Sequence, residues 1–166
     1  MDAILILADK DAGTKEVAVK MWKERIAARA VLFHNNKVAL MHVRKYQYYK
    51  LPGGGVENGE SIQDGLFREV LEEVGCTINI VGEIGTIIEY RSQKEELQTS
   101  HCFLAQVVKK GRSQLTKEEL DEDYVLLWVD LNEAIMLIKE SKPTNYVGKF
   151  IVKRDLCFLE KAKSSN

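Results

Sequence analysis

"LFREVLEEVG", residues 66–75, reads as an amphipathic helix with an electrostatic problem. Glu69, Glu72 and Glu73 stand at i, i+3 and i+4, where side chains are surface neighbours, and like charges at that spacing destabilise a helix by roughly 0.2–0.5 kcal/mol per pair. At 100° per residue, Ile62, Leu66, Phe67, Val70, Leu71 and Val74 fall on one broad apolar arc directed at a core. The three glutamates share the adjacent arc, with Gly65 among them and Arg68 at its flank. A solvated helix face ordinarily mixes charge signs. This one concentrates negative charge and includes a glycine that costs about 1 kcal/mol of helix propensity. Converging carboxylates suit a hard divalent cation, and Mg2+ typically keeps waters and substrate phosphates in its shell, so the cluster implies a phosphate-bearing partner.

The borders of this helix are well marked. Ser61 followed by Asp64 resembles a capping box, and Gly75 sits where a left-handed terminator belongs, so the spacing predicts a helix over 62–74. Before it, "KLPGGGVENGES" brings Pro52 and several glycines together and reads as a loop. Further upstream, "IAARAVLFHNNKVALMHVR" (26–44) is two β-branched, apolar runs broken by Asn35-Asn36, the signature of a hairpin. "AILILA" and "EVAVKMWKE" suggest strands in an N-terminal extension over 1–24. Downstream, "INIVGEIGTIIEYR" and "TSHCFLAQVVK" read as strands joined by an exposed "SQKEELQ" loop, and "YVLLWVD" as another strand. "LNEAIMLIKES" and a segment over 143–162, opened by Pro143, carry helical spacing. Strands and helices without strict alternation predict an α/β (α+β) class, a mixed sheet covered by helices.

The 166 residues suit one domain spanning 1–166, with 45% hydrophobic and 30% charged residues. Lysine and arginine (24) nearly balance aspartate and glutamate (25). That balance argues against a broad basic surface for polymeric nucleic acid but leaves room for a small charged ligand. The apolar runs are too short to span a bilayer. Cys76, Cys102 and Cys157 are widely spaced in apolar surroundings, which suits free thiols in a reducing cytoplasm. His34, His42 and His101 show no ligand spacing and read as structural.

Residues 54–76, "GGVENGESIQDGLFREVLEEVGC", resemble the box of the Nudix (MutT-type) pyrophosphohydrolases. Gly54, Glu60, Arg68, Glu69, Val70, Glu72, Glu73 and Gly75 fall in register with that family's pattern. Cys76 replaces the pattern's final aliphatic residue with another small apolar one. The resemblance implies a Nudix-like α/β/α sandwich with a mixed central sheet. It also implies hydrolysis of a nucleoside diphosphate linked to another group, with Mg2+ or Mn2+ as cofactor. By the same resemblance Glu69 and Glu73 are direct metal ligands. Glu72 is a third ligand or reaches one through water, and Gly53 or Gly54 adds a backbone carbonyl. Arg68 orients a box glutamate, with Glu60 the expected partner.

Outside the box the candidates are less determined. The family often takes a catalytic base from a glutamate on a variable loop; Glu119 and Glu122 are preferred, with Glu95 and Glu96 behind them. Arg44, Lys45 and Lys50 are candidate phosphate contacts or solvated strand-end charges. Tyr46, Tyr48, Tyr49 and Tyr90 could stack on a base or simply pack. The first substrate expectation is a nucleoside triphosphate, including an oxidised one such as 8-oxo-dGTP, giving the monophosphate and pyrophosphate. ADP-ribose and dinucleoside polyphosphates follow. A non-catalytic nucleotide-binding module is the alternative class, disfavoured because such modules commonly lose box carboxylates. The terminal additions could support a homodimer.

Overall fold

The computed structural model describes residues 2–165. Its frame is one eight-stranded mixed sheet in the order β1-β6-β7-β2-β3-β4, with β5 paired to β2 and β8 to β3. The strands are β1 (Leu5–Leu7), β2 (Lys23–His34), β3 (Lys37–Val43), β4 (Tyr48–Lys50), β5 (Gly53–Gly55), β6 (Cys76–Arg91), β7 (Glu96–Lys110) and β8 (Tyr124–Val129). The helices are α1 (Asp9–Ala12), α2 (Ile62–Val74), α3 (Lys117–Asp121), α4 (Leu131–Glu140) and α5 (Tyr146–Ser164). Among these pairings β1 runs parallel to β6 and β2 parallel to β7, while the others are antiparallel.

Strand periodicity sends alternate residues of β2 to opposite faces, and each face has its own core. Ala28, Ala30 and Leu32 pack with Leu66, Val70 and Val74 of α2. Val31 packs with Leu40, Leu51, Phe150, Phe158 and Leu159, under α4 and α5. The result is the α/β/α sandwich. The β2–β3 hairpin turns at Asn35 and Asn36, both left-handed (φ 50° and 62°), as a tight hairpin with those residues requires. Helix α2 starts at Ser61, whose hydroxyl accepts from the Asp64 amide at 3.0 Å, and ends at Gly75 with φ 76°.

Several expectations need correction. Residues 16–22 form no strand; β2 begins at Lys23. The glycine segment is a loop only in part, because Gly53–Gly55 forms β5 against Ala27, Ala28 and Arg29. Only glycine permits this approach: Gly53 has φ 137°, and a Cβ there would run into the Ala28 carbonyl. The "SQKEELQ" loop shrinks to a 3-10 turn over Ser92–Lys94 because β7 already starts at Glu96. The last helix begins at Tyr146, since Asn145 caps it by accepting from the Gly148 amide at 3.1 Å; Pro143 lies in the irregular segment before it. No helix among the described residues is long and apolar enough to cross a membrane.

Candidate active site

Helix α2 is rotated differently from its apolar arc. Phe67 and Leu71 are exposed, while Gly65, Leu66, Val70, Glu73 and Val74 are buried. Glu73 therefore lies near the centre of the inward face, between Ile62 and Leu66 on the helical wheel. A hydrophobicity arc cannot reveal that, because it counts the glutamate as a surface residue. Leaving a carboxylate inside requires partners. Lys50 supplies them from β4, its ammonium 3.2 Å and 3.3 Å from the two carboxylate oxygens of Glu73. Lys50 also donates to the Gly53 carbonyl at 3.3 Å, and the Gly53 amide donates to Glu73 at 3.2 Å. Burial pushes the Glu73 carboxyl up to about 7, against the opposing pull of Lys50, and lowers Lys50.

Arg68 organises the remaining carboxylates. Its guanidinium donates to both oxygens of Glu60 (3.0 Å and 2.8 Å), to Glu69 at 3.0 Å and to the Gly55 carbonyl at 2.9 Å. Glu72 lies 3.6 Å away. These hydrogen bonds hold the Glu60 carboxyl down to about 2 and raise Arg68 above its usual range. Gly65 is small for a specific reason: a Cβ there would stand 2.9 Å from Glu60 Oε1. The space it leaves is filled by the glutamate that Arg68 holds. A Cβ on Gly54 would collide with the Glu69 carboxylate, so backbone and carboxylate meet directly there.

Lys50, the glycine strand, Arg68, Glu69, Glu72 and Glu73 line one cleft of about 810 Å³. Its acidic side comprises Glu57, Glu69, Glu72 and Glu73 on the box and Glu118, Glu119 and Glu122 around α3. Across from them stand Arg25, Arg29, Arg91 and Lys94, and Tyr46, Tyr48, Tyr124 and Tyr146 also contribute. Glu119 is tied into a capping box, accepting from the Thr116 amide at 2.8 Å. Glu122, half-buried, closes the same helix as its C-cap, and burial, reinforced by Glu118, raises its carboxyl.

Several candidates stand apart from this cleft. Arg44 is exposed and pairs with Asp123 at 3.1 Å, beside the separate depression formed by His42 and Tyr49. Tyr90 packs edge-on against Trp22, with ring centroids 5.3 Å apart. Glu96 is held by Arg91 at 3.0 Å, and Glu95 is exposed at a left-handed turn position. Lys50, by contrast, is buried at the floor of the cleft. Arg25, Arg29 and Arg91 went unnoticed in the sequence, where Arg25 and Arg29 look like interruptions of an apolar strand. Their i, i+4 spacing, which places both on one face of β2, was the available signal.

Among the described residues, no three acidic, histidine or cysteine side chains stand together at metal-ligating separation. Glu69 and Glu72 lean on Arg68, and Glu73 on Lys50. The donor set nevertheless fits a hard divalent cation in kind: carboxylate oxygens from Glu69, Glu72 and Glu73, and the carbonyl of Gly53, with no sulfur or imidazole among them.

A family model described as NUDIX domain matches residues 23–148. The chain therefore belongs to the Nudix family of pyrophosphohydrolases. Over 107 residues it is 29% identical to an RNA pyrophosphohydrolase from Sulfurovum sp. (strain NBC37-1), covering 59% of this chain and 68% of that protein. Over 53 residues it is 40% identical to the oxidized purine nucleoside triphosphate hydrolase of Mus musculus, covering 32% of this chain and 34% of that one. A NUDIX hydrolase from Nitrosomonas europaea shares the fold with a TM-score of 0.65 at 19% identity, covering 86% of this chain and 90% of that chain. Enzymes of this family act on nucleotide substrates and generally use a divalent metal such as Mg2+.

Proposed function

We propose that this protein hydrolyses a nucleoside triphosphate to the monophosphate and pyrophosphate, with Mg2+ held by Glu69, Glu72, Glu73 and the Gly53 carbonyl. The observation carrying this reading is the convergence of the box glutamates on a glycine strand at the floor of a cleft whose opposite wall is basic. A bound divalent cation supplies charge neutralisation at the phosphate oxygens and acidifies water. The chain's own residues do the remaining work. Arg68 fixes Glu60 and the β5 backbone, so the first turns of α2 are clamped to the glycine strand. Lys50 keeps the buried Glu73 carboxylate compensated at the floor of the cleft.

Glu122 is our choice for the general base, with Glu119 second. Glu122 lines the cleft, is not spent on a capping box, and its raised carboxyl is better matched to accepting a proton. Water oxygen bonds to phosphorus, its proton passes to Glu122, and the anhydride P–O bond breaks to release pyrophosphate. Tyr46 and Tyr146, half-buried at the cleft, offer faces for a base. The mouse relative's name, a nucleoside triphosphate hydrolase, supports the triphosphate over ADP-ribose or a dinucleoside polyphosphate.

Incubation with Mg2+ and a panel of nucleoside triphosphates, 8-oxo-dGTP, ADP-ribose and dinucleoside polyphosphates tests this directly. Pyrophosphate release from a triphosphate is the expected result. Turnover of ADP-ribose alone would contradict the substrate reading, and turnover of none would contradict the hydrolytic one.

A further inference from the structure

One guanidinium of the basic wall, that of Arg29, forms no ion pair or side-chain hydrogen bond among the described residues. Arg29 is 4% exposed, lines the cleft and sits opposite Gly53 in the β2–β5 register, one residue from the glutamate floor. Among the described residues its Nε and Nη1 have no hydrogen-bond partner, nor does the Nε of Arg91; Arg154 Nη2 is also unpaired but lies outside the cleft lining. Buried N–H groups are almost always satisfied in native proteins, and an unmade hydrogen bond at a charged group is particularly unfavourable. Two such atoms on one guanidinium that lines the cleft, that of Arg29, therefore point to an absent acceptor.

Neighbouring carboxylates cannot fill that role, because they are already engaged. Glu89 accepts from Arg91 (2.8 Å), Gln98 (2.9 Å), Ser100 (3.1 Å) and Arg154 (3.4 Å). Asp155 accepts from Arg154 at 2.7 Å and from the Leu51 amide at 2.8 Å. Burial, followed by repulsion from Arg154, lowers Arg29 to about 10, so it remains a cation at neutral pH. Arg25, on the same face of β2, lies across Gly55: a Cβ there would be 2.8 Å from its Nη2. Ala27 lies between the two arginines and Lys94 is exposed at the rim. The wall thus sets the unpaired Arg29 and Arg25, whose Nη1 donates to Gln98, beside the glycine strand.

We propose that Arg29, flanked by Arg25 and Arg91, receives the terminal phosphate of the substrate. The cleft then selects nucleoside polyphosphates that end in a free phosphate over those whose second group is a sugar or another nucleoside. This rests on the reading that the glutamate wall cleaves the anhydride. A terminal phosphate offers several charged acceptor oxygens in the geometry that guanidinium forks bind best. A ribose presents neutral hydroxyls and leaves Arg29 without its acceptor, the situation in which a polar site rejects an analogue most strongly.

Two variants and two readouts test the proposal. Arg29→Met keeps much of the side-chain volume and removes the charge; Arg25→Gln perturbs the same wall at a half-buried position. Inorganic pyrophosphate is titrated calorimetrically with Mg2+ present, and kcat and KM are measured for a nucleoside triphosphate and for ADP-ribose. Pyrophosphate affinity is expected to fall roughly tenfold or more in Arg29→Met, the size of one charge-assisted contact, and by less in Arg25→Gln. The triphosphate KM should rise by a similar factor while the ADP-ribose KM stays unchanged. The unliganded Arg29→Met protein should melt no lower than wild type, because it lacks an unpaired buried charge. Unchanged pyrophosphate affinity in folded Arg29→Met, or equal rises in both KM values, overturns the proposal. If Arg29→Met does not fold, unchanged affinity in Arg25→Gln overturns it instead. Should no nucleotide be turned over while pyrophosphate binding still depends on Arg29, the hydrolytic reading fails and the anion subsite stands.

Discussion

On the acidic wall of the cleft Glu69, Glu72 and Glu73 each lean on a cation; on the basic wall, among the described residues, the Nε and Nη1 of Arg29 have no partner. Arg68 alone joins Glu60, Glu69 and the Gly55 carbonyl, and Lys50 holds Glu73. The opposite wall is braced from behind, by Glu89 and Asp155 gripping Arg91 and Arg154, while Arg29 in front stays unpaired. A wall whose ligands are internal can be rigid by itself, whereas a wall built for a ligand must be held by a second layer. Removing that layer should affect stability, and disturbing the acidic wall should affect turnover.

Arg154→Met should produce the largest stability change. It removes the cation shared by the buried Glu89 and Asp155, leaving Glu89 to Arg91 and Asp155 to the Leu51 amide, and breaking a buried ion pair by removing one partner costs about 3–5 kcal/mol. A urea unfolding midpoint measures it, and a loss under about 1 kcal/mol would show that the brace is dispensable. The same network sets an acid limit. Burial alone would raise Glu89, but Arg154 and Arg91 reverse that and bring it down to about 2. Its contribution is therefore complete above the ordinary glutamate value of 4.5 and is lost as pH falls from there towards 2. Wild type should lose stability across that window, and Arg154→Met should show a shallower slope.

On the acidic wall, Arg68→Gln should lower turnover about 10–100-fold, as loss of a group orienting metal ligands generally does. Its partly exposed ion pairs should change stability by less than about 1 kcal/mol. Equal losses in stability and rate would mean that Arg68 is only a fold element. Ser61→Ala, which removes the α2 cap, should cost about 1 kcal/mol in thermal or urea melts and leave the KM for substrate unchanged.

The sequence exposed what is contiguous. Ser61 and Gly75 delimit α2, and Asn35-Asn36 turns the hairpin, because each acts through its own backbone. The glutamate cluster was visible through its spacing alone. The inward position of Glu73 was not, since Phe67 and Leu71 outweigh it in any count of apolar residues. Nor was β5, which exists only because three glycines meet Ala27, Ala28 and Arg29 across the sheet. The basic wall was least legible: Arg154 and Glu89 are 65 residues apart, and Arg154 in "VKRDLCF" looks like any helix-surface arginine. Interactions closed by the fold leave little trace in local pattern.

The most direct test of the glutamate cradle is metal binding itself, measured by electron paramagnetic resonance as Mn2+ is titrated into wild-type protein and Glu73→Gln. Wild type should bind Mn2+, and the variant, folded and melting cooperatively, should bind it at least about tenfold more weakly, as the loss of a charged ligand implies. Equal affinity in the two proteins would contradict the assignment of the box glutamates as the metal site.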